Sequence, residues 1–281
     1  MGETVRGFPL LLGANLETIN KRAKIETKNI KQHPVIPTRI YSSLISNAID
    51  ELQDFECAVD SLLQLITDCS HNPKFGRSVQ KKKKTVGANE SHELYKPTDF
   101  SALLDHYRLT DYIEAYSRRT GKKFESIVNL ASHLKEKQSV CFLIVTLFSG
   151  MRHGETDRLP YDCLEIHYED AEKHYRLSGE TYKLVDGIAL RTKWVTDPIA
   201  ARAINIAQKI ADPIYLAIGE SIHEQDRTKS DYPLFIGVGY LPFSTVRNRM
   251  ADKAPYSNSK DLGTFNTLPK YIFLPITEED I

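Results

Sequence analysis

The chain has 281 residues, of which 41% are hydrophobic and 26% are charged, values typical of a globular protein large enough for two domains. Its 37 basic and 37 acidic side chains give a formal net charge of zero, so any affinity for nucleic acid must come from local patches. The longest apolar run, 140–148, is too short to cross a bilayer, and the N-terminus lacks a signal-peptide pattern, so we expect no membrane association.

The first predicted element is a long helix that begins at Thr38, a suitable N-cap residue. Apolar residues recur at helical spacing from Tyr41 to Ile66, and no glycine or proline interrupts them before Pro73. We therefore predict one helix of about 30 residues, which would be roughly 45 Å long. The next segment, 72–99, is rich in Gly, Pro, Ser, Asn and Lys and is predicted to be an exposed linker.

The middle of the chain is predicted to be helical and then to change to β-structure. Helical spacing resumes over Phe100–Tyr116 and Ser126–Leu134, and a third segment, about Lys137–Ser149, is apolar on nearly all sides and should be buried. Short segments rich in Tyr, Ile, Val and Trp follow, separated by turn residues at 170–173 and 186–187. This pattern predicts a three-stranded antiparallel sheet.

The remainder is predicted to contain two further helices. Pro198 opens a helix that extends to about Leu216, with Pro213 as a kink or an end, and a short helix is expected near Phe243–Asp252. The predicted fold class is therefore mainly α with a small three-stranded antiparallel β-sheet, an α+β protein. We place a helical N-terminal domain at residues 1–94, with a basic linker at about 74–94, and a second domain at residues 95–281.

The sequence offers no cofactor or metal motif. Its four cysteines form no C-x-x-C pair and are interpreted as reduced, mostly buried thiols, and no group of residues has metal-ligand spacing. No Walker loop, G-x-G-x-x-G or H-E-x-x-H motif is found. We therefore expect neither a metal nor a cofactor.

The most informative segment is LFSGMRHGETDRLPYDCLEI, residues 147–166, which permits two interpretations. Arg152-His153-Gly154 matches the signature of histidine phosphatases, in which the histidine accepts a phosphoryl group at the end of a strand in an α/β sheet. That family also needs a second histidine, usually before a glycine, and none of the downstream histidines precedes a glycine. The expected alternation of strands and helices is missing too, so this is the weaker alternative.

The same segment resembles the first arginine motif of the tyrosine recombinase, or phage integrase, family. That motif contains a glycine, an apolar residue, an arginine, a glutamate three residues later, a leucine and an aspartate before a strand. The matching residues here are Gly150, Met151, Arg152, Glu155, Leu159 and Asp162. A buried helix before the arginine and a three-stranded sheet after it also fit. Thr156 stands where the family usually has an apolar residue, and Asp162 comes one residue early, which indicates a divergent branch.

The resemblance implies a site-specific DNA recombinase or integrase in which a tyrosine attacks a DNA phosphodiester and forms a 3′-phosphotyrosyl link. Arg152 would bind the charge that develops on the phosphate, a task suited to a planar and permanently charged guanidinium, and Glu155 would orient it. A lysine in the turn between the second and third strands would protonate the leaving 5′-oxygen. Lys183 is favoured for this role, and Lys193 on the third strand is its rival.

The rest of the family's site is not assigned in this sequence. No H-x-x-R follows Lys183, and Tyr256 and Tyr271 have no supporting motif upstream. We therefore expect the chain to be an inactive fragment that lacks the nucleophile, with negligible strand cleavage on its own, although the complete protein would be an enzyme. The alternative is a non-catalytic DNA-binding protein that retains the recombinase scaffold.

Binding to double-stranded DNA is expected from a basic window. Residues 71–124 contain twelve basic and six acidic side chains, an excess of six positive charges. Phosphate contacts of this kind give affinity without base recognition. The candidate DNA-binding residues are Lys81, Lys82, Lys83, Lys84, Arg118, Arg119, Lys122 and Lys123. The resemblance further implies other recombinase subunits as partners and a location in the bacterial cytosol, associated with the nucleoid. The alternative is a solvated linker that only keeps the protein soluble.

Overall fold

The computed structural model describes residues 4–5, 8–9, 36–71, 75, 100–169, 172–181, 189–220, 222, 232–243 and 268–277. The chain divides into two compact units, Met1–Thr38 and Arg39–Ile281. In the first unit, the described residues form a short antiparallel hairpin of β1 (Thr4–Val5) and β2 (Phe8–Pro9).

The remaining described elements form a mainly helical structure with one small sheet, as the sequence predicts. The helices are α1 (Thr38–Glu56), α2 (Val59–His71), α3 (Phe100–His106), α4 (Thr110–Thr120), α5 (Ile127–Ser149), α6 (His153–Thr156) and α7 (Pro198–Ala217). The strands of the sheet are β3 (Leu164–Glu169), β4 (Glu172–Thr181) and β5 (Leu190–Thr196). Two 3₁₀ turns follow, at Val238–Tyr240 and Lys270–Ile272.

The helix predicted from Thr38 is two helices, so its predicted length of about 45 Å was wrong. α1 ends at Glu56, and the backbone N–H of Ala58 closes a turn onto the carbonyl of Phe55 at 3.0 Å before α2 begins. The apolar spacing continues across this break because both helices face the same core. Spacing alone therefore could not locate the turn.

Two other predicted helix boundaries also differ from the structure. The helix predicted over Phe100–Tyr116 is broken between α3 and α4, where Arg108 adopts a left-handed backbone with φ of 55°. Conversely, the segments predicted separately on either side of Lys135 are one helix, α5. Pro213 does not end α7, which continues to Ala217. The short helix predicted near Phe243–Asp252 lies almost entirely outside the described residues.

The three-stranded antiparallel sheet is confirmed, with the order β3-β4-β5. Leu177 in the central strand pairs with Leu164 on one side and with Trp194 on the other, and it is fully buried. These residues share one face of the sheet because side chains directly opposite each other in a ladder point to the same side. β5 packs against α5, so this face of the sheet covers the helix that precedes Arg152.

One hydrophobic core joins the helices of the second unit. It includes Phe55 of α1, Ile66 of α2, Ile144 of α5 and Ile210 of α7, all at most 1% exposed. α1 and α2 therefore pack in the same hydrophobic core as α5 and α7, while the predicted domain boundary at residue 94 stays a prediction. Burial of apolar surface against α5 and α7 explains this placement.

Two further sequence expectations concern the cysteines and the membrane. Cys69, Cys141 and Cys163 are buried free thiols, whereas Cys57 is exposed. Burial raises the pKa of Cys141 and of Cys163, so both stay protonated.

Among the described residues, none of the helices combines the length and the apolar character that a bilayer-spanning segment requires.

Candidate active site

The candidate site begins where α5 ends. Gly150 follows the last turn of α5 with φ of 68°, and its N–H donates to the carbonyl of Thr146 at 3.2 Å. This left-handed conformation favours glycine because other residues suffer steric strain there. Met151 is then buried, and Arg152 has an extended backbone that caps the one-turn helix α6. The glycine thus ends the buried helix and turns the chain so that Arg152 lies at the surface.

Arg152 is held by Glu155 through two hydrogen bonds. Its backbone N–H donates to one carboxylate oxygen at 2.8 Å, and its guanidinium donates to the other oxygen at 2.8 Å. The carboxylate is nearly buried, whereas the Arg152 side chain is 52% exposed. Glu155 therefore holds Arg152 from the buried side, and about half of the Arg152 side chain stays accessible to a ligand.

Glu155 is also bound by the sheet. The hydroxyl of Thr181 donates to the carboxylate oxygen that accepts from the Arg152 guanidinium, at 2.7 Å. Burial works against ionisation of Glu155, but the hydrogen bonds from Thr181 and from Arg152 together outweigh it, so the pKa of Glu155 is lowered. The carboxylate is thus ionised at neutral pH and connects Arg152 to the end of β4.

The two candidate lysines differ in their relation to this contact. Lys183 lies in segment 182–188, outside the described residues, but that segment follows Thr181 directly. Lys193 pairs with Ser178 in the sheet, so it lies on the face opposite to Thr181, and its ammonium contacts Glu165 at 2.6 Å. Among the described residues, Lys193 is therefore directed away from the Arg152–Glu155 pair.

His153, the nucleophile of the alternative interpretation, is the first residue of α6. It is exposed, and its ring centroid lies 4.9 Å from that of Phe142. The described sheet is antiparallel and follows His153 in the chain. The arrangement of a histidine at the end of a preceding strand, which a histidine phosphatase needs, is not found among the described residues.

The predicted DNA-binding residues fall into three groups. Lys81, Lys82, Lys83 and Lys84 lie outside the described residues. Arg118 and Lys123 are exposed, and within the described part of the chain neither has an ion-pair partner. Arg119 and Lys122 are engaged internally, Arg119 with Glu51 and Asp54 and Lys122 with Glu136. Two of the four described cations are thus directly available to phosphate.

A buried charged cluster, which the sequence analysis missed, lies between α1, α4 and α5. Glu51 is fully buried and accepts hydrogen bonds from the ammonium of Lys137, the guanidinium of Arg119 and the phenol of Tyr271. Lys137 is 1% exposed, and its ammonium lies 4.6 Å from the ring centroid of Tyr116. The spacing of residues could have predicted that Lys137 is buried. Lys137 follows Leu134 by three residues and precedes Cys141 by four, so it lies on the apolar, buried face of its helix.

Tyr271 cannot act as a freely available nucleophile in this arrangement. Its phenol donates to Glu51, and burial together with this hydrogen bond raises its pKa above the ordinary value. Tyr256, the other tyrosine noted near the C-terminus, lies outside the described residues.

The described residues also contain no group of three or more His, Cys, Asp or Glu side chains that could hold a metal ion. The chain was compared with protein-family models, with curated proteins and with solved structures. No family model, no curated protein and no solved structure matches it.

Proposed function

We propose that the protein is a site-specific DNA recombinase of the tyrosine recombinase type, in which Arg152 binds the scissile phosphate. The observation that carries this proposal is the three-residue contact of Arg152, Glu155 and Thr181. It links the arginine motif to the strand that precedes Lys183 in the chain, two features that are far apart in sequence. A surface pair of Arg152 and Glu155 alone would not need the third contact.

The proposed chemistry assigns one task to each group. A tyrosine phenol loses its proton to solvent as its oxygen bonds to phosphorus, the bond to the 5′-oxygen breaks, and that oxygen takes a proton from the Lys183 ammonium. The guanidinium of Arg152 stabilises the charge that develops on the non-bridging oxygens, and preorganised donors of this kind contribute about 3–4 kcal/mol each. Glu155 fixes the guanidinium before the phosphate arrives, so that less side-chain entropy is lost on binding.

The nucleophile is not assigned to any described residue, because Tyr271 donates its phenol to a buried carboxylate. We therefore expect residues 1–281 alone to bind duplex DNA and to produce negligible strand cleavage. This same observation favours the second candidate function, a non-catalytic DNA-binding protein that retains the scaffold. We further propose that other recombinase subunits on DNA are the protein partners, in the bacterial cytosol.

The first experiment measures duplex binding by fluorescence anisotropy at about 50 and 200 mM salt. Affinity should fall steeply with salt because phosphate neutralisation releases counterions. The double variant Arg118→Gln, Lys123→Gln should flatten the salt slope by about two, since each lost phosphate contact lowers it by about one. Lys209→Gln is the matched control, because this exposed cation on α7 pairs with Asp60 and is not assigned to DNA. Salt-independent binding would contradict the proposal.

The second experiment separates the two candidate functions. The full-length protein is incubated with a nicked duplex that traps covalent protein–DNA adducts. The recombinase proposal predicts adducts that Arg152→Ala abolishes and Lys183→Ala slows, with a better 5′ leaving group restoring the rate of the lysine variant. Complete absence of adducts favours the non-catalytic alternative, and normal yield in Arg152→Ala removes Arg152 from the site.

A further inference from the structure

A groove separate from the Arg152 site lies between the end of α4, the first half of α5 and the segment 268–271. Its volume is about 610 Å³, which is within the range of small-molecule sites. Four cations line it from three elements: Arg119, Lys122, Lys135 and Lys270. Among the described residues that line the groove, Glu136 is the only carboxylate. The groove is therefore cationic although the whole chain has no net charge.

The charges next to the groove do not cancel. Glu136 uses both carboxylate oxygens, one for the phenol of Tyr116 and one for the ammonium of Lys122. The residues directly behind the groove add the positive charge of Lys137 to the four cations of the lining. The negative charges in the same region are Glu51, Asp54 and Glu136. Five cations thus face three carboxylates, an excess of two positive charges. Lys135 and Lys270 have no ion-pair partner among the described residues.

The remaining walls suit the other parts of a small ligand. Ser132 on α5 is exposed and presents a hydroxyl that can donate to an anion. Leu268 and Pro269 contribute apolar side chains to the lining. A ligand with a polyanionic group for the lysines and an apolar body for Leu268 would match both kinds of lining.

We propose that this groove binds a small molecule that carries a diphosphate or a similar compact polyanion. Ammonium groups on two different elements, Lys135 and Lys270, can neutralise such a group from both sides. The ligand would also tie segment 268–271 to α4 and α5, because both sides of the groove would contact it. That segment is already attached to α1, where the Asn47 amide donates to the carbonyls of Tyr271 and Ile272 at 3.3 and 3.1 Å.

The test is isothermal titration calorimetry of inorganic pyrophosphate into the full chain at low salt. We expect saturable binding with one site, weakened at least tenfold in the double variant Lys135→Gln, Lys270→Gln. Lys209→Gln removes a charge from an exposed position on α7, outside the groove, and should change the affinity less than twofold. Ser132→Glu places a negative charge inside the groove and should abolish binding, which provides a second test if the double variant does not fold. Circular dichroism checks the fold of each variant.

Three outcomes would overturn the proposal. The first is the absence of saturable binding to the unmodified chain. The second is an equal loss of affinity in Lys209→Gln and in the groove variants, which would indicate diffuse attraction. The third is competitive displacement of pyrophosphate by a duplex of about 20 base pairs, which would assign the groove to DNA phosphates. The proposal does not rest on recombinase activity, so loss of DNA binding or of cleavage leaves it unaffected.

Discussion

Replacing Glu51 by glutamine should destabilise the protein strongly, because it leaves the ammonium of Lys137 buried without its counter-charge. Glu51 is fully buried and Lys137 is 1% exposed, so water cannot replace the lost partner. Breaking a buried pair by removing one partner typically costs about 3–5 kcal/mol. In the parent protein, burial lowers the pKa of Lys137 and the carboxylate of Glu51 opposes that effect. Without the carboxylate, the pKa of Lys137 should fall further.

The ordinary pKa of lysine sets an upper limit on the free energy of unfolding that the variant loses through Lys137. A buried lysine without a partner can lose its proton, and neutralising a group with a pKa of about 10.4 costs about 4.6 kcal/mol at pH 7. The same proton costs about 1.9 kcal/mol at pH 9, since each pH unit is worth about 1.4 kcal/mol. The unfolded chain then binds one more proton than the folded variant, so stability of the variant rises with pH. The difference between parent and variant should therefore narrow between pH 7 and pH 9.

The free energy of unfolding is measured by urea titration at both pH values, with fluorescence of the single tryptophan, Trp194, and circular dichroism as two probes. Asp54→Asn is the matched control: Asp54 also binds Arg119 but is 49% exposed, so we expect a loss below about 1 kcal/mol. Adding Lys137→Met to Glu51→Gln should recover at least half of the loss, because an apolar side chain replaces the buried charge. A loss under about 1 kcal/mol at pH 7, or an equal loss at both pH values, would refute this reasoning.

Three further predictions concern the Arg152 site and are tested by the same urea titrations. Gly150→Ala should cost about 1 kcal/mol because φ is 68° there, whereas Gly154→Ala, equally open in space, should be nearly neutral; equal effects would contradict the role of the backbone. Thr181→Val should cost about 1–3 kcal/mol by removing the donor to a nearly buried carboxylate, and Thr181→Ser should restore most of it. The pKa of Glu155 is lowered, so its contribution to stability is fully present above the ordinary pKa of 4.5 and is lost as the pH falls through the lower pKa of the folded state. The difference between parent and Glu155→Gln should shrink from pH 5 to pH 3, and a constant difference would be the contrary result.

The sequence predicted elements better than their boundaries. The sheet was predictable because β-rich segments alternate with turn residues, and antiparallel pairing of neighbouring strands follows from short turns. The turn at Ala58 was not predictable, because the apolar positions of α1 and α2 keep the same helical spacing across it. Likewise, Arg108 carries no glycine-like signal for the left-handed backbone that separates α3 from α4. Shared burial in one core determines these boundaries, and a linear pattern does not contain that information.

The candidate site was predictable only in its local part. Arg152 and Glu155 are three residues apart on one helical turn, so their contact follows from the spacing. Thr181 is 26 positions from Glu155, and a threonine near the end of a strand has no distinguishing pattern. The Glu51 cluster is more distant still, since its contact with Tyr271 joins residues 220 positions apart. Such contacts depend on how the helices pack, which the spacing of residues does not reveal.

The difference between Arg152 and the other exposed cations is the physical basis for assigning it a specific role. Arg118 and Lys123 are exposed without ion-pair partners among the described residues, so their contribution to DNA affinity would be diffuse attraction that salt screens. Arg152 is also exposed, but Glu155 binds both its backbone and its guanidinium, and Thr181 fixes Glu155 from the sheet. A guanidinium oriented before its ligand arrives can stabilise a transition state more than a ground state. If the protein is a recombinase as proposed, substitutions at Thr181 should alter its strand-cleavage rate without altering its salt-dependent affinity for duplex DNA.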